Sequence, residues 1–409
     1  MQAREMTEHD LLLTFDFPPL GGGISRWMSE IARRYPPGTL TVSTGRMPGD
    51  TASDAAFPNV IDRLGIPSVR LRTLQGQVQW ARRAMALNRA TPFRFAWCDN
   101  IRPSAYPARA LRQFGGVPYG VIVHGSDLFD IRANFRRSRF KRMVTRQLLG
   151  SAATIVANSQ WTRSLLAEVL GELGLPDVVA RTRVVSLGTD PLRFRPNIDT
   201  TDFRRQHNLP DGRWLVTVAR LEAFKGADTV IRALPLLTAQ FPDVRYAVVG
   251  DGSFRAGAEA LAVSEGVADR VHFLSRLADD ALPSAYAMAT IYAGLTRETP
   301  REVEGFGISL LEAQASGKPV VAGRAGGIVD AVADGETGIL VDPTDVEAVA
   351  SAFKSLLADP TRGAAMGRAG RSAVERHFNW DRVVSELRGI AAQLGRSVAD
   401  APAVEHALS

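Results

Sequence analysis

The chain is predicted to be α/β, built as two Rossmann-like domains in which helices cover a parallel sheet. Three observations carry that prediction. Short apolar or β-branched runs alternate with segments of helical spacing along most of the 409 residues, the order a parallel sheet requires. The length exceeds what a single core usually holds, so two domains are expected. Glycines, cations and a histidine follow several of the runs, at the carboxyl strand ends where open α/β sheets take ligands.

In chain order, the first half places strands at Leu11–Phe15, Leu40–Ser43, Ser68–Arg72, Phe93–Cys98, Tyr119–His124, Thr154–Ala157 and Arg183–Ser186. Helical spacing covers Ile24–Tyr35, Gly76–Asn88, Pro103–Phe114, Asn134–Leu149 and Gln160–Leu170. The polar, proline-bearing stretch Thr189–Asn197 marks the domain boundary. Beyond it, strands near 215–219, 245–249, 271–274, 290–293, 319–322 and 338–341 again alternate with helices. Val374–Leu394 reads as helical with a bend near Phe378 and Trp380, and the Ala-rich tail after Gly395 as frayed. The expected domains are 1–193 and 194–379, with a final helix at 380–395 and a tail at 396–409.

Composition narrows the class. With 45% apolar and 22% charged residues, the chain is that of an ordinary globular protein. A single cysteine, Cys98, excludes an internal disulfide and any cysteine metal cluster, and its apolar setting reads as a buried thiol. Neither a signal peptide nor an apolar run of membrane-spanning length is visible, so a cytoplasmic protein is expected, with peripheral attachment to the inner face of the cell membrane as an option.

Charge is unevenly placed. Residues 1–195 hold 27 Lys/Arg against 15 Asp/Glu, and residues 196–409 hold 22 against 28. Between Arg132 and Arg146 there are seven cations and no acid, interleaved with Phe135, Phe140, Met143, Val144 and Leu148. Such a basic amphipathic helix suits an anionic membrane surface. The alternative is a solvated, Arg-rich face. Nucleic acid is not expected, because no recognisable nucleic-acid module is present.

The chemistry-bearing residues cluster in the second half. Glu304 and Glu312 stand eight positions apart across a loop-to-helix junction, with Gly305 and Gly307 to let the backbone turn. The helix beginning near Phe306, Gly307 and Ile308 offers free N–H groups and a positive dipole end to a phosphate. Arg220 and Lys225 follow the strand Leu215–Val218; an Arg can grip a diphosphate bidentately and a Lys adds a compact charge. Gly250 and Gly252 follow the strand Tyr246–Val249 on the same edge. Together these make a nucleotide-sugar site, cations to the diphosphate and carboxylates to hydroxyls. In the first half, Gly21, Gly22 and Gly23 lie between a strand and a helix, where amides can approach an anion, or simply turn the chain. His124 ends the run Val121-Ile122-Val123; Asp127 either orients a ligand or caps the following segment, and Ser159 reads as a helix cap. The six histidines are scattered and no DxD motif is present, so no metal or other cofactor is expected.

The order Arg220, Lys225, Glu304-x7-Glu312, with the triple glycine and His124-Gly125-Ser126-Asp127, resembles the retaining GT-B glycosyltransferases of family 4, from about Leu11 to Leu394. The phrases Asp16-Phe17-Pro18-Pro19-Leu20-Gly21-Gly22-Gly23-Ile24 and Glu304-Gly305-Phe306-Gly307-Ile308 are similar to the phosphatidylinositol mannosyltransferase branch. The resemblance implies two domains facing across a cleft and a last helix returning to the first domain. It makes the loop of Gly22 and Gly23 border the donor diphosphate and the acceptor, and places His124 beside the transferred sugar. It also puts Glu304 on sugar hydroxyls and Glu312 on the ribose. It further implies hexose transfer with retention from a nucleotide diphosphate sugar, best matched by GDP-mannose, to a lipid-linked or glycan acceptor hydroxyl. A UDP-sugar enzyme of polysaccharide or lipopolysaccharide assembly, or a non-catalytic nucleotide-sugar binder, stands as the alternative. Asp330 departs from the family's usual Glu in the second glycine turn, Gly326-Gly327. A dinucleotide oxidoreductase is disfavoured, since GxGxxG and its downstream acid are missing.

Overall fold

Two parallel sheets organise the molecule, here a computed structural model that describes residues 8–275 and 277–395. The expected tail at 396–409 lies outside the described residues. The chain divides into one unit made of Met1–Val185 with Trp380–Ser409, and a second made of Ser186–Asn379. Residues 186–193 belong with the second unit because their turn is tied there: Arg371 donates to the carbonyls of Pro191 and Phe194, both at 2.8 Å.

The first unit's sheet comprises β1 (Asp10–Leu13), β2 (Leu40–Arg46), β3 (Val60–Pro67), β4 (Phe95–Cys98), β5 (Tyr119–Val123), β6 (Thr154–Ala157) and β7 (Thr182–Val184). Its order is β3-β2-β1-β4-β5-β6-β7, and every pairing is parallel. β1, β4, β5 and β6 are buried along their full length, which is why they read as continuous apolar runs. The second sheet comprises β8 (Arg213–Val218), β9 (Val244–Val249), β10 (Val271–Leu274), β11 (Ile291–Gly294), β12 (Val320–Gly323) and β13 (Gly338–Val341), ordered β10-β9-β8-β11-β12-β13. Both sheets reverse direction of growth once, between β1 and β4 and between β8 and β11. Those switch points open a crevice at the carboxyl strand ends, the place an α/β sheet binds ligand.

Helix Trp380–Leu394 returns to the first unit and packs on helix Gly23–Arg34 and β4. Its stripe Trp380, Val383, Val384, Leu387, Ile390 and Ala391 is buried at helical spacing, and Asp381 meets Arg34 at 3.1 Å.

Two element assignments change. Ser68–Arg72 is a 3-10 turn, and the edge strand is Val60–Pro67. Its Asp62, Arg63 and Gly65 read as strand breakers, yet Arg63 reaches Asp54 at 2.8 Å and Arg83 binds Asp62 from the next helix. Charge on an edge strand also blocks pairing with a further strand. The helix expected at Asn134–Leu149 is two helices, Ser126–Arg137 and Arg139–Ser151. They break at Ser138, whose backbone is extended (φ −147°, ψ 117°) and whose hydroxyl accepts from Lys141 N to cap the second helix.

Candidate active site

In the second unit, the switch point collects the strand-end residues. β8 runs into Ala219 and Arg220, and β9 into Gly250, Asp251 and Gly252. Gly250 has φ +131°, and a Cβ there would lie 2.0 Å from Ala219 O. A Cβ at Gly252 would lie 2.4 Å from Leu221 O. These glycines are therefore required first by the close approach of two loops. Both also line a cavity of about 600 Å³ with Arg220, Asp251, Leu277 and Leu282.

A smaller, more enclosed cavity adjoins it through Ala219, which lines both. Its wall includes Lys225, Glu304, Gly307, Ser309, Thr217 and Thr296. Lys225 Nζ donates to Glu304 Oε2 at 2.6 Å, with both side chains largely buried. The sequence left these two 79 residues apart; the crossing between β8 and β11 unites them. Lys225 also lies over the Phe224 ring, 4.9 Å from its centroid. Gly307, at φ +99°, opens helix Ile308–Ala315, so the helix's free N–H groups border the same cavity.

The Gly326-Gly327 turn braces this loop. Gly327 N donates to Glu304 O at 2.8 Å, and a Cβ on Gly326 would sit 2.5 Å from that same oxygen. The turn thus holds Glu304 by its backbone. Phe306 is buried against Phe378 and supports the loop from beneath. Glu312, five residues on from Gly307, is 6% exposed and lines neither cavity. Its carboxylate accepts the hydroxyl of Tyr286. Beneath the site, Tyr246 donates to Thr217 Oγ1 at 2.8 Å and Thr217 to Ala293 O at 2.7 Å, which fixes the strand ends.

In the first unit, the corresponding strand ends carry Gly21, Gly22, Gly23 and His124. Gly22, at φ +123°, precedes the first turn of helix Gly23–Arg34. His124 is nearly buried, edge-on to Trp27 at 5.3 Å, and its Nε2 lies 2.5 Å from Asp99 O. That contact assigns the proton to Nε2 when the ring is neutral. Asp127 Oδ1 accepts His124 N at 3.0 Å, which ties the first turn of helix Ser126–Arg137 to the strand end; burial pushes its carboxyl above the usual range. Ser159 caps helix Gln160–Leu173 by accepting from Thr162 N at 2.9 Å.

Two carboxylates absent from the sequence-derived site stand here. Asp99, wholly buried after β4, accepts from Thr14 Oγ1, Phe15 N and Asp16 N at 2.7, 2.8 and 3.2 Å, and from Ser104. It shapes the loop that leads from β1 to the triple glycine. Asp16 is pushed up to about 6, by burial first and by the Asp99 carboxylate second, against the opposing pull of Arg72. The rule that ligands gather at the switch point marks β1 and β4 ends, and would have found both.

Among the described residues, no group of three or more His, Cys, Asp and Glu side chains could hold a metal ion, and no helix is long and apolar enough to cross a membrane. Cys98 is buried, and burial raises its thiol well above the usual value. In the basic segment, Arg132 and Arg136 are tied to Glu172, the latter at 2.8 Å, and Arg142 donates to Glu172 O. Arg137, Arg139 and Arg146 are exposed, as are Phe140 at 70% and Met143 at 49%.

Residues 21–193 match the family described as Glycosyltransferase Family 4, and residues 199–373 match glycosyl transferases group 1. A protein of Mycolicibacterium smegmatis named GDP-mannose-dependent alpha-(1-6)-phosphatidylinositol monomannoside mannosyltransferase is 34% identical over 380 residues, 90% of this chain and 94% of that one. Its namesake from Mycobacterium tuberculosis is 31% identical over 92% of this chain and 96% of its own length. Among solved structures, Anabaena HepE in complex with UDP superposes with a TM-score of 0.76 at 20% identity, covering 94% of this chain and all of that one.

Proposed function

The chain belongs to glycosyltransferase family 4, and from that membership we propose that it transfers mannose from GDP-mannose, with retention, to a hydroxyl of a lipid-linked inositol acceptor. The mannosyltransferase names of the relatives that span almost the whole chain support the donor and acceptor. The observation that carries the reading is the joining of Arg220, Lys225, Glu304 and the start of helix Ile308–Ala315 around two adjoining cavities.

The chemistry follows from those groups. As the bond between the sugar's anomeric carbon and the β-phosphate oxygen breaks, negative charge grows on the diphosphate. Arg220, Lys225 and the helix N–H groups stand ready for that charge, the type of preorganised stabilisation that contributes most to such reactions. Lys225 is already held by Glu304 at 2.6 Å, so it need not reorient when donor arrives. Glu304 takes sugar hydroxyls rather than attacking the anomeric carbon, which develops oxocarbenium character. The departing phosphate oxygen accepts the acceptor hydroxyl's proton on the same face as the new carbon–oxygen bond forms, so the anomeric configuration is kept. No metal is needed in this scheme, because fixed cations fill its place at the diphosphate. Acceptor contacts are assigned to the first unit, at Asp16 and the triple-glycine loop, with His124 beside the transferred sugar.

The exposed Arg137, Arg139, Phe140, Met143 and Arg146 support docking on an anionic membrane where such an acceptor resides. Thermal shift with GDP-mannose, GDP, UDP-glucose and UDP tests the donor assignment. Stabilisation by the guanine nucleotides alone is expected, about 2.7 kcal/mol at a hundredfold excess over Kd. Stabilisation by the uridine nucleotides alone overturns it in favour of UDP-sugar chemistry.

A further inference from the structure

One ion pair of the second unit lies beside the small cavity and has no part in the scheme above. Lys225 ends the short 3-10 turn Ala223–Lys225, between β8 and helix Ala227–Thr238. Thr296 and Glu304, which line the small cavity with Lys225, belong to the loop that follows β11. Arg297 stands next to Thr296 in that loop and grips the other segment twice. Its backbone N–H donates to Phe224 O at 2.8 Å, within the Lys225 turn itself. Its Nη2 donates to Asp228 Oδ1, in the first turn of helix Ala227–Thr238, and lies 3.4 Å from Thr229 Oγ1. Asp228 is buried, and its other oxygen accepts from Arg232, four residues along the helix, at 2.7 Å. Between the two grips the segments run so close that a Cβ on Gly226 would overlap Leu295 O.

Lys carries its charge on a flexible stem, so where the ammonium sits depends on how its backbone is held. The hydrogen bonds of a 3-10 turn are of poorer geometry than those of an α-helix, so the turn needs support from outside. The backbone bond from Arg297 holds it at one point. The Arg297–Asp228 pair holds the far side of the same turn, through a charge-assisted bond between side chains only 26% and 11% exposed. Without that pair the Lys225 turn is free to pivot on Phe224 and away from Glu304. We propose that Arg297 is a positioning residue: by tying the loop after β11 to helix Ala227–Thr238, it holds Lys225 against Glu304 and aims the ammonium at the donor diphosphate. The inference rests on the diphosphate reading of Lys225 and adds to it a residue that acts through the Lys225 backbone. Arg297 Nε has no hydrogen-bond partner among the described residues, so the side chain grips through one terminal nitrogen, a contact that lysine can also make.

The test compares nucleoside diphosphates with monophosphates, which lack the phosphate that Lys225 is aimed at. Isothermal titration of wild type, Lys225→Ala, Arg297→Met, Arg297→Lys and the double variant Lys225→Ala/Arg297→Met uses GDP beside GMP and UDP beside UMP. The ratio is read from the tighter-bound pair. In wild type the diphosphate should bind roughly tenfold or more tighter than its monophosphate, the value of a hydrogen bond to a charged group. In Lys225→Ala and in Arg297→Met that ratio should fall to about threefold or less with the monophosphate affinity as in wild type, and the double variant should lose no more than Lys225→Ala alone. Arg297→Lys should keep most of the wild-type ratio. If Arg297→Met does not fold, Asp228→Asn removes the charge of the anchor at constant shape and should lower the ratio in its place; a wild-type ratio there counts against the proposal. A ratio kept in Arg297→Met but lost in Lys225→Ala overturns the positioning role and leaves Lys225 on the diphosphate. Losses that add in the double variant, or a monophosphate affinity that falls in step, overturn it as well. A Lys225→Ala ratio equal to that of wild type overturns the diphosphate reading of Lys225 itself.

Discussion

At the scale of single residues, the proposed mechanism rests on the charges of Arg220 and Lys225 at the strand end of the second unit. Arg220 and Lys225 could be singled out because they follow a recognisable strand and Glu304 because it precedes a helix, while Glu312 stood out only by its spacing from Glu304. Asp99 and Asp16 were not singled out, because Asp99 meets Thr14 and Asp16 across 85 and 83 positions of chain. Lys225→Ala and Arg220→Ala should each lower kcat by about 10²–10³-fold, since removing one fixed donor at a developing anion costs roughly 2–4 kcal/mol. Steady-state rates at saturating donor check this, and near-normal turnover in both variants would exclude the clamp. Asp16 gives a pH signature. Its carboxyl titrates near 6 in the fold against an ordinary 3.8, so the folded state holds more protons between those values. The favourable term is complete below 3.8, declines as pH rises, and is lost above about 6. Asp16→Asn should therefore stabilise the protein relative to wild type at pH 8 and not at pH 4. The gain should be at most about 2 kcal/mol, given that the group is partly solvated. Equal differences in melting temperature at the two pH values would contradict this.

At the scale of elements, the alternation of strand and helix was legible from periodicity, but two elements were not. Val60–Pro67 hides its strand because Asp62 and Arg63 carry charge that only tertiary partners neutralise. The break at Ser138 was masked by an unbroken basic and apolar pattern on both sides. That break bears on the proposed docking. It leaves Arg132 and Arg136 on one helix, tied to Glu172, and turns Phe140 and Met143 outward on the next. The exposed cations and the carboxylate-paired ones should therefore respond differently to mutation. Replacing Arg137, Arg139 and Arg146 with Ser should weaken binding to anionic vesicles about 100-fold at low salt, at roughly 1 kcal/mol for each cation. Replacing Arg136 alone should change it far less, since that cation already has a carboxylate. Co-sedimentation at low and high salt checks both, because added salt screens the attraction. Equal sedimentation of wild type and triple variant at low salt would make the segment a solvated surface.

At the scale of the whole molecule, two sheets of the same strand order each put a loop cluster at a switch point, and the cations lie in the second. This plan was legible from length and alternation, and the helix at Trp380–Leu394 rejoins the first unit as the resemblance implied. The use of fixed cations at the diphosphate has a consequence for conditions: transfer should continue in excess EDTA, and loss restored by Mn²⁺ or Mg²⁺ would contradict the scheme. The most direct measurement is transfer itself. Purified protein is incubated with GDP-mannose and vesicles containing a phosphatidylinositol mannoside, and the anomeric configuration of the new linkage is read by NMR from the one-bond carbon–hydrogen coupling. The expected result is an α-mannosyl product, the configuration of the donor, lost in Lys225→Ala. A β-linked product, or transfer from UDP-sugars and none from GDP-mannose, would contradict it.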